Sequence, residues 1–251
     1  TGATTVTGGT LTSTTAGALG GTSGITVNGA TLTVADFKSG SNLTTNATGT
    51  ATISGAGQSV GTLSNAGTVN FSANTGTVTV TTLSGAGSTS FGNNATITNG
   101  ISDGTVNVTG ALNSAISGGT VTAASLGQTS SANISGGTTT VSGLAAINTM
   151  SAGTANLNGA SASISTYNGG NVALGTNTAL TLDQGTSSGI ISGATGSITK
   201  NSANTLTLSG NNSFAGGTSI SGGTVNAGHN NALGTGAVLI GTGGSTSNGT
   251  L

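Results

Sequence analysis

The 251-residue chain contains no cysteine, no proline and no tryptophan, and it is almost without charge: two lysines or arginines, three acids and one histidine. Each shortage excludes something. Without cysteine there is no disulfide framework and no thiolate metal site. Ordinary soluble domains carry about a quarter charged residues. Here Asp36, Lys38, Asp103, Asp183 and Lys200 are scattered singly or as one close pair. Enzymes use such groups to move protons, hold metals or grip phosphates. No enzymatic activity is therefore expected, with no catalytic residue, no cofactor and no metal. A net charge of −1 offers no basic footprint for nucleic acid and no attraction to an anionic membrane. It also leaves little repulsion between copies, so self-association is the expected partnership. No apolar run reaches the ~18 residues of a membrane helix, so no membrane insertion by this segment is expected. The start at Thr1, without methionine or apolar leader, reads as a mature or excised piece.

What is present is 48 glycines among Thr, Ser, Ala and Asn, with apolar residues in short alternating strings. Ile25-Thr-Val27, Leu32-Thr-Val34, Val78-Thr-Val80, Val106-Asn-Val108, Leu180-Thr-Leu182 and Leu206-Thr-Leu208 are examples. Alternation with β-branched partners is the signature of a strand. No helical apolar period appears, and Gly, Thr, Ser and Asn are poor in helix interiors.

A phrase recurs: an apolar residue, Ser or another small residue, then Gly-Thr-Val or a relative. It stands at Leu63–Val69, Ile101–Val106, Ile116–Val121, Ile134–Thr139, Met150–Ala155, Tyr167–Val172 and Ile220–Val225. A period near ~17 residues suits one coil of a β-solenoid. The expectation is an all-β, right-handed parallel β-helix of about 15 coils, running as one continuous body through residues 1–251. Inward positions would include Ile116, Val121, Ile134, Ile220 and Val225. Gly118, Gly119, Gly136, Gly137, Gly222 and Gly223 would make the turns, and glycine and asparagine would take the corners that need φ > 0. Proline is absent because an internal strand needs its N–H.

Residues 199–240 are more specific. Leu206 to Gly210, Asn212 to Thr218, Gly223 to Val225 and Asn231 to Gly236 follow the order of the autotransporter-associated β-strand repeat, which this segment resembles. The rest of the chain is similar to that family in style alone. The resemblance implies a parallel β-helix in a secreted or surface-displayed bacterial passenger acting as a stalk or fibre. Both ends look cut from a longer β-helix, or built to stack end to end into filaments.

Chemistry-bearing residues are few. His229 is a lone turn histidine. Asp36, Asp103 and Asp183 are too far apart for a carboxylate pair and too few for calcium-binding repeats. Asp36 and Lys38 suggest a surface ion pair. A rival reading comes from Thr-x-Thr pairs: Thr31 and Thr33, Thr77 and Thr79, Thr120 and Thr122, Thr138 and Thr140. They would form an outward Thr face for adhesion, glycan or ice. Their intervals in sequence are irregular, whereas a lattice-matching face needs even ones.

Overall fold

The alternation forms strands because a strand places successive side chains on opposite faces. In the structure, a computed structural model describing residues 2–127 and 132–241, there are 26 strands and no helix among the described residues. Thr31–Val34 and Thr50–Ile53 show the rule, with Leu32, Val34, Ala51 and Ile53 buried and the threonines between them facing out. The fold is a parallel β-solenoid of about 13 turns, two fewer than expected. The difference lies in coil length. The step that aligns Ile101 with Ile116 takes up much less chain than the one that aligns Thr4 with Ile25. The recurring phrase samples the short coils, so its period overestimates their number. Among the described residues, no helix is long and apolar enough to cross a membrane.

Contacts divide the chain into two compact units, one up to Ala124 and one from Ser125. In the first, interior residues stack in columns: Ile25 on Leu43 on Leu63 on Leu83, and Ala51 on Val69 on Thr89 on Val106. In the second, Ile147 stacks on Ile164 and Leu182. The recurring phrase keeps its place in the stack, because Ile134, Met150 and Tyr167, each the first residue of a copy, align in successive coils. Ile116, Val121, Ile134, Ile220 and Val225 are all buried.

The paired glycines divide their work. Gly119, Gly137 and Gly223 have φ of 69°, 66° and 68°, which L side chains rarely adopt. Gly118 instead needs close approach: an added Cβ would collide with the Ser102 carbonyl one coil below, and one at Gly222 would lie 2.7 Å from the Asn201 carbonyl. Gly136, like these two, is outside the positive-φ set.

Asparagine plays a different part from the one expected. Among described non-glycine residues, positive φ occurs at Asn177 alone. Asparagines sit at corners because their amides tie coils together. Asn65 is buried, donates to the Ser88 carbonyl (2.8 Å) and Thr89 Oγ1 (3.0 Å), and accepts from the Gly67 N–H (3.0 Å). Asn74 bonds Gly55, Gly57 and Gly76 in the same manner. The interior is therefore not purely apolar. It also holds every aromatic residue: Phe37, Phe71, Phe91, Tyr167 and Phe214 are buried. Phe71 and Phe91 stack with ring centroids 5.3 Å apart, a distance set by the spacing of adjacent coils.

Two substitutions test this interior. Val121→Asp places an unpaired charge in the stack and should cost about 3–5 kcal/mol. An unchanged thermal midpoint would refute the inward assignment. Asn65→Ala strands buried donors and acceptors at about 1–3 kcal/mol each, and chemical denaturation should show it less stable than wild type.

Candidate functional site

The charged residues are the natural place to look for chemistry, and the three carboxylates serve turns. Asp36 Oδ1 accepts from the Gly17 N–H (2.7 Å) in the neighbouring coil. Asp103 Oδ1 accepts from the Gly104 N–H (2.7 Å). The expected Asp36–Lys38 ion pair does not form: Phe37 between them is buried, and the Asp36 carboxylate is taken by Gly17. His229 is an exposed turn residue whose Nδ1 accepts from the Asn231 N–H (3.0 Å). No group of three or more His, Cys, Asp or Glu able to hold a metal occurs among the described residues.

Lys200 departs from the pattern. Its side chain is fully buried, at 0% exposure, in an interior column where it aligns with the buried Ile220. Its Nζ donates to both the carbonyl and the hydroxyl of Ser202, at 2.5 Å each. The Ser202 hydroxyl donates onward to the Asp183 carbonyl (3.1 Å). Asn204 Nδ2 donates to Asp183 Oδ1 (2.8 Å). Burial pushes the Lys200 ammonium below its usual range, against the pull of Asp183. Hydrogen bonding from Ser202 and Asn204 holds the Asp183 carboxyl below the usual carboxylate range. A serine–lysine nucleophile needs the lysine to accept the hydroxyl proton. Here the lysine donates, the hydroxyl proton goes to a carbonyl, and Gly223 roofs the ammonium, so that an added Cβ there would stand 2.8 Å from Nζ. The arrangement ties two coils together at a corner.

Sequence reasoning missed this cluster. Its signals were present: Asp183 and Lys200 are separated by one coil's length of chain, and Ile198-Thr-Lys200 continues the inward alternation.

Next to it two coils interlock through side chains. The Asn212–Thr218 turn meets Asn231–Gly236 of the following coil. Asn212 Nδ2 donates to the Ala232 carbonyl (2.6 Å), and its Oδ1 accepts from the Ile191 N–H (2.7 Å). Thr218 Oγ1 donates to the Leu233 carbonyl (3.0 Å), and the Thr235 N–H donates to the Phe214 carbonyl (2.9 Å). Gly234 faces the buried Phe214 ring, and a Cβ there would stand 2.7 Å from Cε2. Residues 198–227 match the passenger-associated-transport-repeat family. No curated protein and no solved structure matches the chain. The match bears out the resemblance read over 199–240. It places Lys200, Asn212, Phe214, Gly217 and Thr218 within the repeat, and Asn231–Gly236 beyond the matched residues. The repeat's conspicuous Asn, aromatic, Gly and Thr positions are thus the donors, ring and contact surface that hold one coil to the next.

The Thr-x-Thr pairs do not form one set. Thr31, Thr33, Thr120 and Thr122 lie on strands of one sheet of the first unit. Thr79 belongs to the other ladder, aligned with Ser59 and Thr96, and Thr77 just precedes that strand. Thr138 and Thr140 are in the second unit, where Asn156 Nδ2 donates to Thr140 Oγ1 (3.2 Å).

The pH response of Lys200 and Tyr167 should differ in sign. Burial pushes the Tyr167 hydroxyl above its usual value, and the hydroxyl donates to the Gly170 carbonyl (2.8 Å). For Lys200 the unfolded chain binds the proton more tightly than the folded one. Stability therefore rises with pH between the folded value and 10.5. For Tyr167 the folded chain keeps the proton longer, so stability falls as pH rises above 10.0. Lys200→Met should abolish the rise and Tyr167→Phe the fall, read from denaturation midpoints across the alkaline range.

Proposed function

We propose that this chain is a non-catalytic structural segment of a secreted or surface-displayed bacterial passenger, built to hold a long stack of coils in an extracellular stalk or fibre. The observation that carries this reading is the passenger-associated-transport repeat at residues 198–227, set in a solenoid whose coils are joined by backbone ladders, buried asparagines and the Lys200 corner. Its stability is mechanical in kind: pulling two coils apart would break a row of parallel backbone hydrogen bonds and expose an interior column together. The same pairing chemistry would let coils of separate copies associate. With a net charge of −1, little electrostatic repulsion opposes such contact.

Durability outside the cell fits this role. Trypsin has two target residues, Lys38 and Lys200. Lys38 is exposed and Lys200 buried. Limited trypsin digestion of the folded chain should cut after Lys38 and spare Lys200 until denaturant is added; early cleavage after Lys200 would refute the buried corner. The functional reading itself is tested in cells carrying the parent protein. Antibody against this segment should label intact, unpermeabilised cells or the medium, and exclusively cytoplasmic signal would overturn it. Negative-stain micrographs of purified chain decide self-association, with filaments supporting it and isolated particles opposing it.

A further inference from the structure

Asparagine followed by glycine is a reactive pair. With no Cβ on the glycine, its backbone nitrogen swings freely toward the asparagine side-chain carbonyl carbon. Among the described residues the pairs are Asn28-Gly29, Asn99-Gly100, Asn158-Gly159 and Asn168-Gly169; Asn248-Gly249 lies outside them. The solenoid holds these pairs differently. Gly159 and Gly169 are buried. A Cβ at Gly159 would collide with the Gly143 carbonyl, and one at Gly169 would lie 2.6 Å from the Ser151 carbonyl. Gly100 belongs to the strand Ala95–Ile101, and Asn99 Nδ2 donates to Thr82 Oγ1 (2.8 Å). Asn28 and Gly29 are both exposed, in the turn between Gly24–Val27 and Thr31–Val34. A Cβ at Gly29 would meet Thr48 Oγ1 at 3.5 Å, an ordinary contact. Among the described residues the Gly29 N–H has no hydrogen-bond partner.

The next coil adds a second feature. Thr45 aligns with Val27, which brings Asn46 to the same corner as Asn28. Asn46 Nδ2 donates to Asn28 Oδ1 (3.0 Å). Attack on the Asn28 carbonyl carbon puts negative charge on that oxygen, and a donor already aimed at it stabilises the charge as it develops. Asn46 itself precedes Ala47, whose Cβ hinders the same reaction there. The turn is pinned on both sides of Gly29. The Asn28 N–H donates to the Val6 carbonyl (2.8 Å) and the Thr31 N–H to the Gly9 carbonyl (3.0 Å). The strands therefore stay in place while the nitrogen between them is free to move.

We propose that Asn28 is a self-modification site, converted in the folded chain to aspartate and isoaspartate by attack of the Gly29 nitrogen. Hydroxide from solvent removes the Gly29 amide proton. The nitrogen forms a bond to Asn28 Cγ, the bond from Cγ to the side-chain nitrogen breaks, and that nitrogen takes a proton from water and leaves as ammonia. Water then opens the cyclic imide at either carbonyl, giving aspartate or isoaspartate. The sum is one water consumed and one ammonia released, with no oxidation or reduction. The product adds a negative charge to a chain whose formal net charge is −1. Isoaspartate also adds a carbon to the backbone of the turn, the part of a coil whose length this fold lets vary. The mark accumulates with time spent in water.

Trypsin supplies the readout. Its two target residues are Lys38 and Lys200, and in the 1–38 peptide Asn28 is the one side-chain amide. The whole folded chain is incubated in mildly alkaline buffer, then denatured and digested for mass spectrometry. The 1–38 peptide should gain the mass of an amide-to-acid exchange, as isoaspartate together with aspartate. Conversion should be faster than in mildly acidic buffer and several-fold faster than at Asn99, Asn158 or Asn168. In urea, where the coils are lost, those three should convert alongside Asn28. Asn28→Gln should all but stop the change in the 1–38 peptide. Asn46→Ala, an exposed substitution that leaves the Asn-Gly pair intact, should slow it several-fold at an unchanged thermal midpoint. An unmodified Asn28 in folded chain, under conditions that convert the urea-unfolded chain, overturns the proposal. So does equal conversion of Asn158 or Asn168 in the folded chain, or an unchanged rate in Asn46→Ala. Aspartate without isoaspartate marks direct hydrolysis and overturns the attack by Gly29. The measurement follows purified chain and does not depend on display at a cell surface, so its failure is separate from failure of the passenger reading.

Discussion

Every coil in this chain must offer its amides and carbonyls to the coils on either side, because a strand buried in a stack has no water to turn to. That requirement fixes much of the composition. Proline cannot appear without deleting a donor from a paired strand. Inward positions must match from coil to coil, so columns such as Leu43–Leu63–Leu83 are aliphatic and compact. The turns carry the remaining freedom, and coil length varies there, from the short step between Ile101 and Ile116 to the long one between Thr4 and Ile25. Glycine then serves two needs: a left-handed backbone at Gly119, and contact between successive turns at Gly118.

Stacking of this kind creates a second problem, which polar side chains solve. Corners leave backbone groups that the ladder does not reach, and a buried unpaired group is costly. Asn65, Asn74 and Asn212 reach across with an amide that donates and accepts at once. Lys200 satisfies the Ser202 corner with its ammonium, and its burial costs less because two oxygens receive it. Among the described residues, Thr45 and Thr139 are the two whose buried hydroxyls find no partner. The polar interior is thus a set of fasteners between coils, found both within the passenger repeat and outside it.

Strand alternation, the solenoid class and the repeat near the C-terminal third were legible because they depend on local pattern: Leu206-Thr-Leu208 and Gly223-Thr-Val225 announce themselves. The number of coils was less legible, since turn lengths follow no local rule. The roles of Asn65 and Lys200 were hidden for a different reason. Both depend on what lies one coil away, and polar residues in a strand-and-turn sequence read as outward until the register is known. The Asp36–Lys38 pairing failed on the same point, because Gly17 in the adjoining coil is a nearer partner than the neighbour in sequence. Some threonines show the converse: Thr10, Thr31, Thr50 and Thr68 are unevenly spaced in sequence yet align in successive coils.

That contrast bears on what the fold leaves free to vary. Backbone pairing holds the coils at a fixed spacing whatever the outward residues are, so outward residues are free to vary on most faces. At the aligned positions from Thr10 and Thr12 to Thr120 and Thr122 they are Thr, Ser or Asn, and Asn70 Oδ1 accepts from the Ser72 N–H (2.7 Å). Threonine's strand preference explains why it is allowed at each position. Charge is absent there as it is from almost the whole chain, which carries two basic and three acidic residues in 251. Threonine's strand preference and the chain-wide scarcity of charge together account for the composition of these positions.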